Sequence, residues 1–180
     1  LLSEHLPWWL SLPLSGVSFF LLLIFEVAIL VRLLPKLRPG KFPMMKGAVF
    51  YGWLLRAMLR RILMCSPFKL LIFSSNTLRF LSLWALGAKI PFTVNMSTDV
   101  EILDPWMVEV GPGSMLGARV GISAHYVKDG HLVLAPVKLG SKVLLAAQVT
   151  VMPGVTVGDG AMVLVNNTLY ARATVGEGAV

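Results

Sequence analysis

Aliphatic residues recur every six positions through the second half of this chain. Leu139, Leu145, Val151, Val157, Val163, Leu169 and Val175 fall at that interval, and Val137, Val143, Val149, Val155, Ala161, Asn167 and Ala173 stand two places before them. Earlier, Val110, Leu116 and Ile122 keep the same spacing. Ile90, Met96 and Ile102 begin the series, with Ala88, Val94 and Val100 two places ahead of them. No α-helix can bury such a set on one face, because six is not close to a multiple of 3.6. Alternation within each aliphatic pair suits a short strand, and a turn after each strand resets the pattern. The arrangement that satisfies both is a three-sided prism of parallel strands, one hexapeptide per face, with the aliphatic residue pointing inward. Gly140, Gly158 and Gly176 directly follow the aliphatic residue, and are expected there to ease the turn by accepting positive φ. Between Ile122 and Leu139 the register slips and SAHYVKDGHLVLAPVK intervenes. A loop must leave the prism at that point.

The first half obeys different rules. The whole chain is 56% hydrophobic and 14% charged, against roughly 45–50% and about 25% in ordinary globular domains. The apolar excess lies before Gly87, so the division expected is a membrane-embedded and interfacial helical part, residues 1–86, and a β-helix, residues 87–180. Leu14–Leu34 is long and apolar enough to span a bilayer, and Pro13 and Pro35 bracket it. A signal peptide is the weaker rival reading, for no basic n-region precedes the run and no small-residue cleavage site follows it. Trp8 and Trp9 suit an interfacial aromatic belt. Glu26 falls in mid-span, where it calls either for a polar contact inside a helix bundle or for a helix only partly inserted. Lys36, Arg38, Lys41 and Lys46 follow the span, while only Glu4 precedes it. The positive-inside rule then places the following chain, and the β-helix with it, on the cytoplasmic side. Gly47–Met64 reads as an in-plane helix with Arg56, Arg60 and Arg61 on one side and Leu55, Leu59, Ile62 and Leu63 as its apolar face. Ser66-Pro67 is expected to end it. Phe68–Leu86 is expected to be interfacial or packed on the first helix.

The net charge of +7 arises mainly from basic residues interleaved with apolar ones. That pattern suits anionic membrane lipids better than nucleic acid, for which no module is present. Cys65 is the only cysteine, so neither an intrachain disulfide nor a cysteine-based metal site is expected. The chain starts at Leu1 and stops at Val180 inside a repeat. A solenoid needs polar caps, so the β-helix is expected to be truncated at its carboxy end.

The stretches ISAHYVKDGHLVLAPVKLG and VTVMPGVTVGDGAMV resemble the hexapeptide-repeat acyltransferase superfamily. It often shows a histidine in an excursion loop, then an aliphatic-glycine coil start, then a segment of the PG-V-x-[IV]-G-D-G-A kind. The likeness runs from about Leu86 to Val180 and implies an all-β left-handed parallel β-helix. The hand comes from the resemblance, since parallel crossovers are otherwise right-handed. A closer likeness is to the membrane-linked repeat domains of poly-lysine-synthetase-like peptide synthetases. It rests on Leu86-Gly87-Ala88-Lys89-Ile90 at the start of the prism and on His125 to Leu132 in the loop.

The superfamily resemblance implies that His125 is a general base. It would take a proton from a hydroxyl or amine attacking the thioester of an acyl-CoA or a phosphopantetheine-linked carrier. Histidine titrates near neutrality, as that role requires. Asp129 or Glu109 is expected to orient its ring. His131 reads as a polar residue at the loop's return, and His5 is given no role. Asn166 and Asn167 are candidate contacts for a pantetheine arm, set against a stacked asparagine ladder. Leu144, Met152 and Leu164 replace residues that are commonly Gly or Ala in the superfamily and would narrow a donor groove. The resemblance also implies a homotrimer. Three functions follow: a membrane-associated acyltransferase, a module of a peptide synthetase, or a non-catalytic trimeric scaffold.

Overall fold

A computed structural model describes residues 7–65, 72 and 75–180. The chain runs through helix α1 (Trp8–Leu33), strand β1 (Gly40–Pro43), helix α2 (Gly47–Cys65) and helix α3 (Asn76–Ala85) into a run of short strands. Glu4, His5 and Ser66-Pro67 lie outside the described residues.

The prism is built as the six-residue period requires. Three parallel sheets of four strands each form its faces. The first holds β2 (Asn95–Met96), β5 (Met115–Leu116), β10 (Leu144–Leu145) and β13 (Met162–Val163). The second holds β3 (Glu101–Ile102), β6 (Gly121–Ile122), β11 (Thr150–Val151) and β14 (Thr168–Leu169). The third holds β4 (Val108–Val110), β9 (Val137–Leu139), β12 (Thr156–Val157) and β15 (Thr174–Val175). The inward residues stack in register, as in Leu116–Leu145–Val163 and Ile122–Val151–Leu169. Leu139, Leu145, Val151, Val157 and Val163 are buried, and Leu169 packs partly buried at the carboxy end. Ser114 takes one of the small inner positions. Its hydroxyl donates to the Gly140 carbonyl at 2.8 Å and accepts from Val143 N–H at 3.0 Å, so the buried polar group is satisfied.

The glycines after the aliphatic residues serve a different purpose from the one expected. Gly140, Gly158 and Gly176 do not have positive φ; Gly160 and Gly178, two places further on, do. At Gly158 an added Cβ would stand 2.6 Å from the backbone nitrogen of Glu177 in the next coil. Stacked corners leave no room for a side chain at Gly140 and Gly158, and close approach is what excludes one, whereas Gly176 meets nothing within 4 Å.

α1 begins earlier than its prolines suggest. Pro13 lies inside the helix and Pro7 caps it. A proline near the start of a long apolar helix loses a single backbone donor, and neighbouring hydroxyls can soften that loss. Phe20, Ile24, Val27, Ala28 and Val31 form the buried stripe, packed with Leu59, Leu63, Ala85 and Leu86. Glu26 is exposed on the other side of the helix. Among the described residues it is not part of the buried helix cluster.

α2 also differs from its expected faces. Leu59 and Leu63 point into the core, while Tyr51, Leu55, Met58 and Ile62 form an exposed stripe. Arg56 is buried, and its Nη2 donates to the carbonyls of Val31, Leu34 and Pro35 at 3.4, 3.1 and 3.0 Å. It satisfies acceptors left open at the end of α1, although burial lowers its pKa from the ordinary arginine value. Arg60 donates to the Ile102 carbonyl at 2.7 Å and pairs with Glu101 at 3.1 Å. Of the three arginines, only Arg61 is exposed. The other two are docking residues because a helical wheel gives a face but not its neighbour. α3 packs against α1, and its Phe80 and Leu83 join the prism core and close that end. Arg79 anchors it by donating to the carbonyls of Met96 and Ser97 at 2.8 and 2.9 Å.

Candidate active site

The register break after Ile122 is an excursion at the edge between the second and third faces. It forms a hairpin of β7 (His125–Lys128) and β8 (His131–Leu134). β1, from the helical half, adds itself antiparallel to β8. The loop thus supplies the central strand β8 and the edge strand β7 of a three-stranded sheet, β1-β8-β7. Its register aligns Gly40, Leu134 and His125 in one row, and Lys41, Val133 and Tyr126 in the next. Adjacent rows point to opposite sides. Leu132 and Leu134 are buried against Phe50 of α2, so the His125 side faces α2 and the Tyr126 side faces away from it.

His125 meets Asp104 there. Its Nδ1 lies 2.6 Å from Asp104 Oδ2, and the Asp104 side chain is 1% exposed against 24% for the histidine. The same oxygen accepts the Ala124 backbone N–H at 2.9 Å, and Oδ1 accepts Trp53 Nε1–H at 3.0 Å. Both oxygens therefore act as acceptors, the pattern of an ionised carboxylate. With Asp104 accepting, the neutral imidazole tautomer that fits carries its proton on Nδ1 and leaves the Nε2 lone pair that a general base needs. The Trp53 indole also meets the imidazole edge-on, with ring centroids 4.8 Å apart.

The orienting residue is neither of those expected. Asp129 is exposed, and its backbone carbonyl lies 2.6 Å from His131 Nδ1. Glu109 pairs with Lys89 at 3.3 Å. Asp104 holds the position because it sits one coil below His125 at the same edge, just before a 3-10 turn over Pro105–Met107. A signal for it is present in the sequence. Val110 follows Ile102 by eight residues instead of six, a second register break at the edge where the hairpin leaves.

Asn166 and Asn167 lie between β13 and β14, hence at the edge between the first and second faces. Both are exposed, and Asn167 donates to the Leu164 carbonyl at 3.2 Å. Within one chain they are not brought to His125. Leu144 faces outward from the first sheet, and Leu164 is exposed near the same edge as the asparagines. Met152 follows β11, at the edge that carries His125.

A groove of about 680 Å³ lies on the other side of the hairpin sheet, between it and the third face. Lys41, Lys128, Lys138 and Arg172 bring four cations to it, with Tyr126 beside them and Asp129 as the one acid in its lining. Among the described residues no group of three or more His, Cys, Asp and Glu side chains is placed to hold a metal ion.

Two solved structures share this architecture. Residues covering 66% of the chain superpose on 78% of a maltose O-acetyltransferase from Clostridium difficile 630, with TM-score 0.51 and 15% identity. Residues covering 69% of the chain superpose on 84% of the hexapeptide-repeat acetyltransferase VCA0836 of Vibrio cholerae, with TM-score 0.52 and 12% identity. The chain has the hexapeptide-repeat acetyltransferase fold. That β-helix class is the one its repeats resemble. In sequence, the chain is 31% identical over 138 residues to the delta-poly-L-ornithine synthetase of Acinetobacter baumannii (strain AB307-0294). It is 33% identical over 63 residues to YvoF of Bacillus subtilis (strain 168), provisionally assigned as an acetyltransferase. These matches cover 76% and 35% of the hexapeptide-repeat chain, but 10% and 37% of the two relatives. No protein-family model matches.

Proposed function

We propose that this chain is a membrane-associated acyltransferase in which His125, oriented by Asp104, is the general base. The observation that carries this is the 2.6 Å contact between Nδ1 and a buried carboxylate at the edge where the prism opens. Nε2 takes the proton from an acceptor hydroxyl or amine as its oxygen or nitrogen bonds to the acyl carbon. The thioester's C–S bond breaks, and the departing thiolate recovers that proton from the imidazolium. The donor is an acyl-CoA or a phosphopantetheine-linked acyl group. The four cations of the groove support it, because Lys and Arg suit phosphate oxygens. His125 and Tyr126 are neighbours on opposite sides of β7, so an extended pantetheine arm has to pass only the edge of one strand.

Several features support the remainder of the reading. The division retained is 1–86 as the membrane part and 87–180 as the β-helix. α1 has a window of mean hydropathy 2.5, long and apolar enough to cross a bilayer. Its outer face exposes Phe19, Leu22, Phe25, Ile29 and Leu33, more contiguous apolar surface than water tolerates well. The exposed stripe of α2 fits the lipid interface, and the basic residues after α1 favour a cytoplasmic β-helix. Three of the four outward residues of the first face, Met115, Leu144 and Met162, are apolar, the fourth being Asn95, whereas the ladder of the second, Glu101–Gly121–Thr150–Thr168, holds no large apolar side chain. The first face is therefore the surface on which a homotrimer would form, and in a trimer Asn166 and Asn167 could meet the donor arm held by a neighbour.

A second reading, a module of a larger peptide synthetase with an amine as acceptor, is favoured by the 138-residue match to the poly-ornithine synthetase. The test for both is thiol release from acetyl-CoA and from an acylated carrier, with hydroxyl and amine acceptors, by the full chain in lipid. His125→Ala should lower turnover by about 10²–10⁴ with folding unchanged. Near-wild-type turnover by His125→Ala would remove the assignment. No turnover of either donor by the unaltered protein would leave the scaffold reading.

A further inference from the structure

Asp104 is held from two directions. The prism supplies one, through the Ala124 N–H on Oδ2. The helical half supplies the other, through Trp53 on Oδ1. The two oxygens of a carboxylate turn together, so whatever fixes Oδ1 also fixes Oδ2, the atom that holds His125. Trp53 is half-buried on the inner side of α2, within the cluster that also holds Phe50, Leu132 and Leu134. It touches both members of the dyad, since its ring edge also limits the swing of the imidazole.

We propose that Trp53 is a positioning residue for acyl transfer, acting through Asp104, so that the helical half sets the geometry of the base on the β-helix. This rests on the reading of His125 as the base. Without the indole N–H, Oδ1 is left in a buried site with no donor from Trp53, and the carboxylate is held through Oδ2 alone. The imidazole then loses its fixed direction, while the groove on the far side of the hairpin is untouched. Misplacement of a catalytic group by about 1 Å can cost on the order of 10²-fold in rate.

The decisive variant is Trp53→Phe, which retains an aromatic edge but has no N–H. In the full chain in lipid, kcat should fall by about 10–100-fold, with KM for the acyl donor unchanged. The proton on His125 Nδ1 gives a second readout, a far-downfield NMR resonance expected for its short bond to Asp104. That resonance should move upfield or broaden in Trp53→Phe. It needs no substrate, so it tests the positioning even if the acyltransferase reading fails. A third readout is a double-mutant cycle. In an Asp104→Asn background, Trp53→Phe should have no further effect on kcat. An unchanged resonance and unchanged kcat would overturn the proposal, as would losses that multiply in the double variant. If Trp53→Phe fails to fold, Trp53→Leu removes the N–H and the ring together, and an upfield shift or loss of the resonance is expected. A folded Trp53→Leu chain with the resonance and kcat both unchanged would overturn the proposal.

Discussion

Replacing Asp104 by Asn separates the orientation of His125 from its presence. The carboxylate accepts three bonds, one on Oδ1 from Trp53 and two on Oδ2 from Ala124 and His125. An amide has one acceptor oxygen and one NH₂ group, so neither orientation satisfies all three donors. With the oxygen toward Ala124 and His125, the NH₂ meets the Trp53 N–H. With the oxygen toward Trp53, the NH₂ meets the Ala124 N–H and forces the imidazole proton to Nε2. Each arrangement leaves a buried donor unpaired, at about 1–3 kcal/mol. For a chain of this size the melting temperature should fall by roughly 2–4 °C per kcal/mol. The effect on rate should be much larger. In serine hydrolases, losing the carboxylate that sets the tautomer costs about 10⁴ in kcat, and a loss of about 10²–10⁴ is expected here. The assay is thiol release from the acyl donor, measured well below the melting temperature, with His125→Ala as the floor. If Asp104→Asn melts a few degrees lower but turns over at nearly the normal rate, while His125→Ala is inactive, the orienting role is wrong.

Val157→Asp should destabilise by more than about 4 kcal/mol, because an unpaired charge would enter a wholly aliphatic stack; thermal melting followed by circular dichroism reads it. Gly158→Ala should cost about 1–3 kcal/mol by crowding the next coil, whereas Gly121→Ala, which meets nothing within 4 Å, should leave the melting temperature almost unchanged. In oriented vesicles, protease added to the periplasmic or lumenal side should spare the β-helix. Cleavage there would reverse the orientation inferred from Lys36, Arg38, Lys41 and Lys46.

The prism was legible because its evidence is periodic. Each of Leu139, Leu145, Val151 and Val157 predicts the next, and all four prove buried. The excursion was legible as a break in that period. What the period could not show is which residues face one another across coils. Asp104 and His125 are 21 positions apart, and the eight-residue step from Ile102 to Val110 becomes meaningful only once the two breaks are seen to share an edge. Pro13 misled for a related reason. A local proline rule weighs one lost hydrogen bond, while the apolar run on either side of it continues the helix. The faces of α2 were blurred because apolar residues occupy both sides of it, so spacing alone could not separate Leu59 and Leu63 from Leu55 and Ile62. For Arg56 the decisive fact was the open end of α1 standing against it, which no pattern within α2 contains.

The excursion loop leaves the β-helix but is built jointly with the helical half. β1 pairs along the whole of β8, from Gly40 opposite Leu134 to Pro43 opposite His131. Phe50 of α2 shares a buried cluster with Leu132 and Leu134, and Trp53 reaches the Asp104 carboxylate. An isolated two-stranded hairpin is marginal in water, and a third strand with an apolar face to cover is what gives it independent stability. Both are supplied by residues before the prism begins. Removing the helical half would therefore do more than shorten the chain. It would leave β8 with an unpaired edge, uncover Leu132 and Leu134, and take one of the three donors from Asp104. The prism would lose Phe80 and Leu83, which close one end of its core, and His125 would lose the third strand of its sheet and the residue that holds its partner.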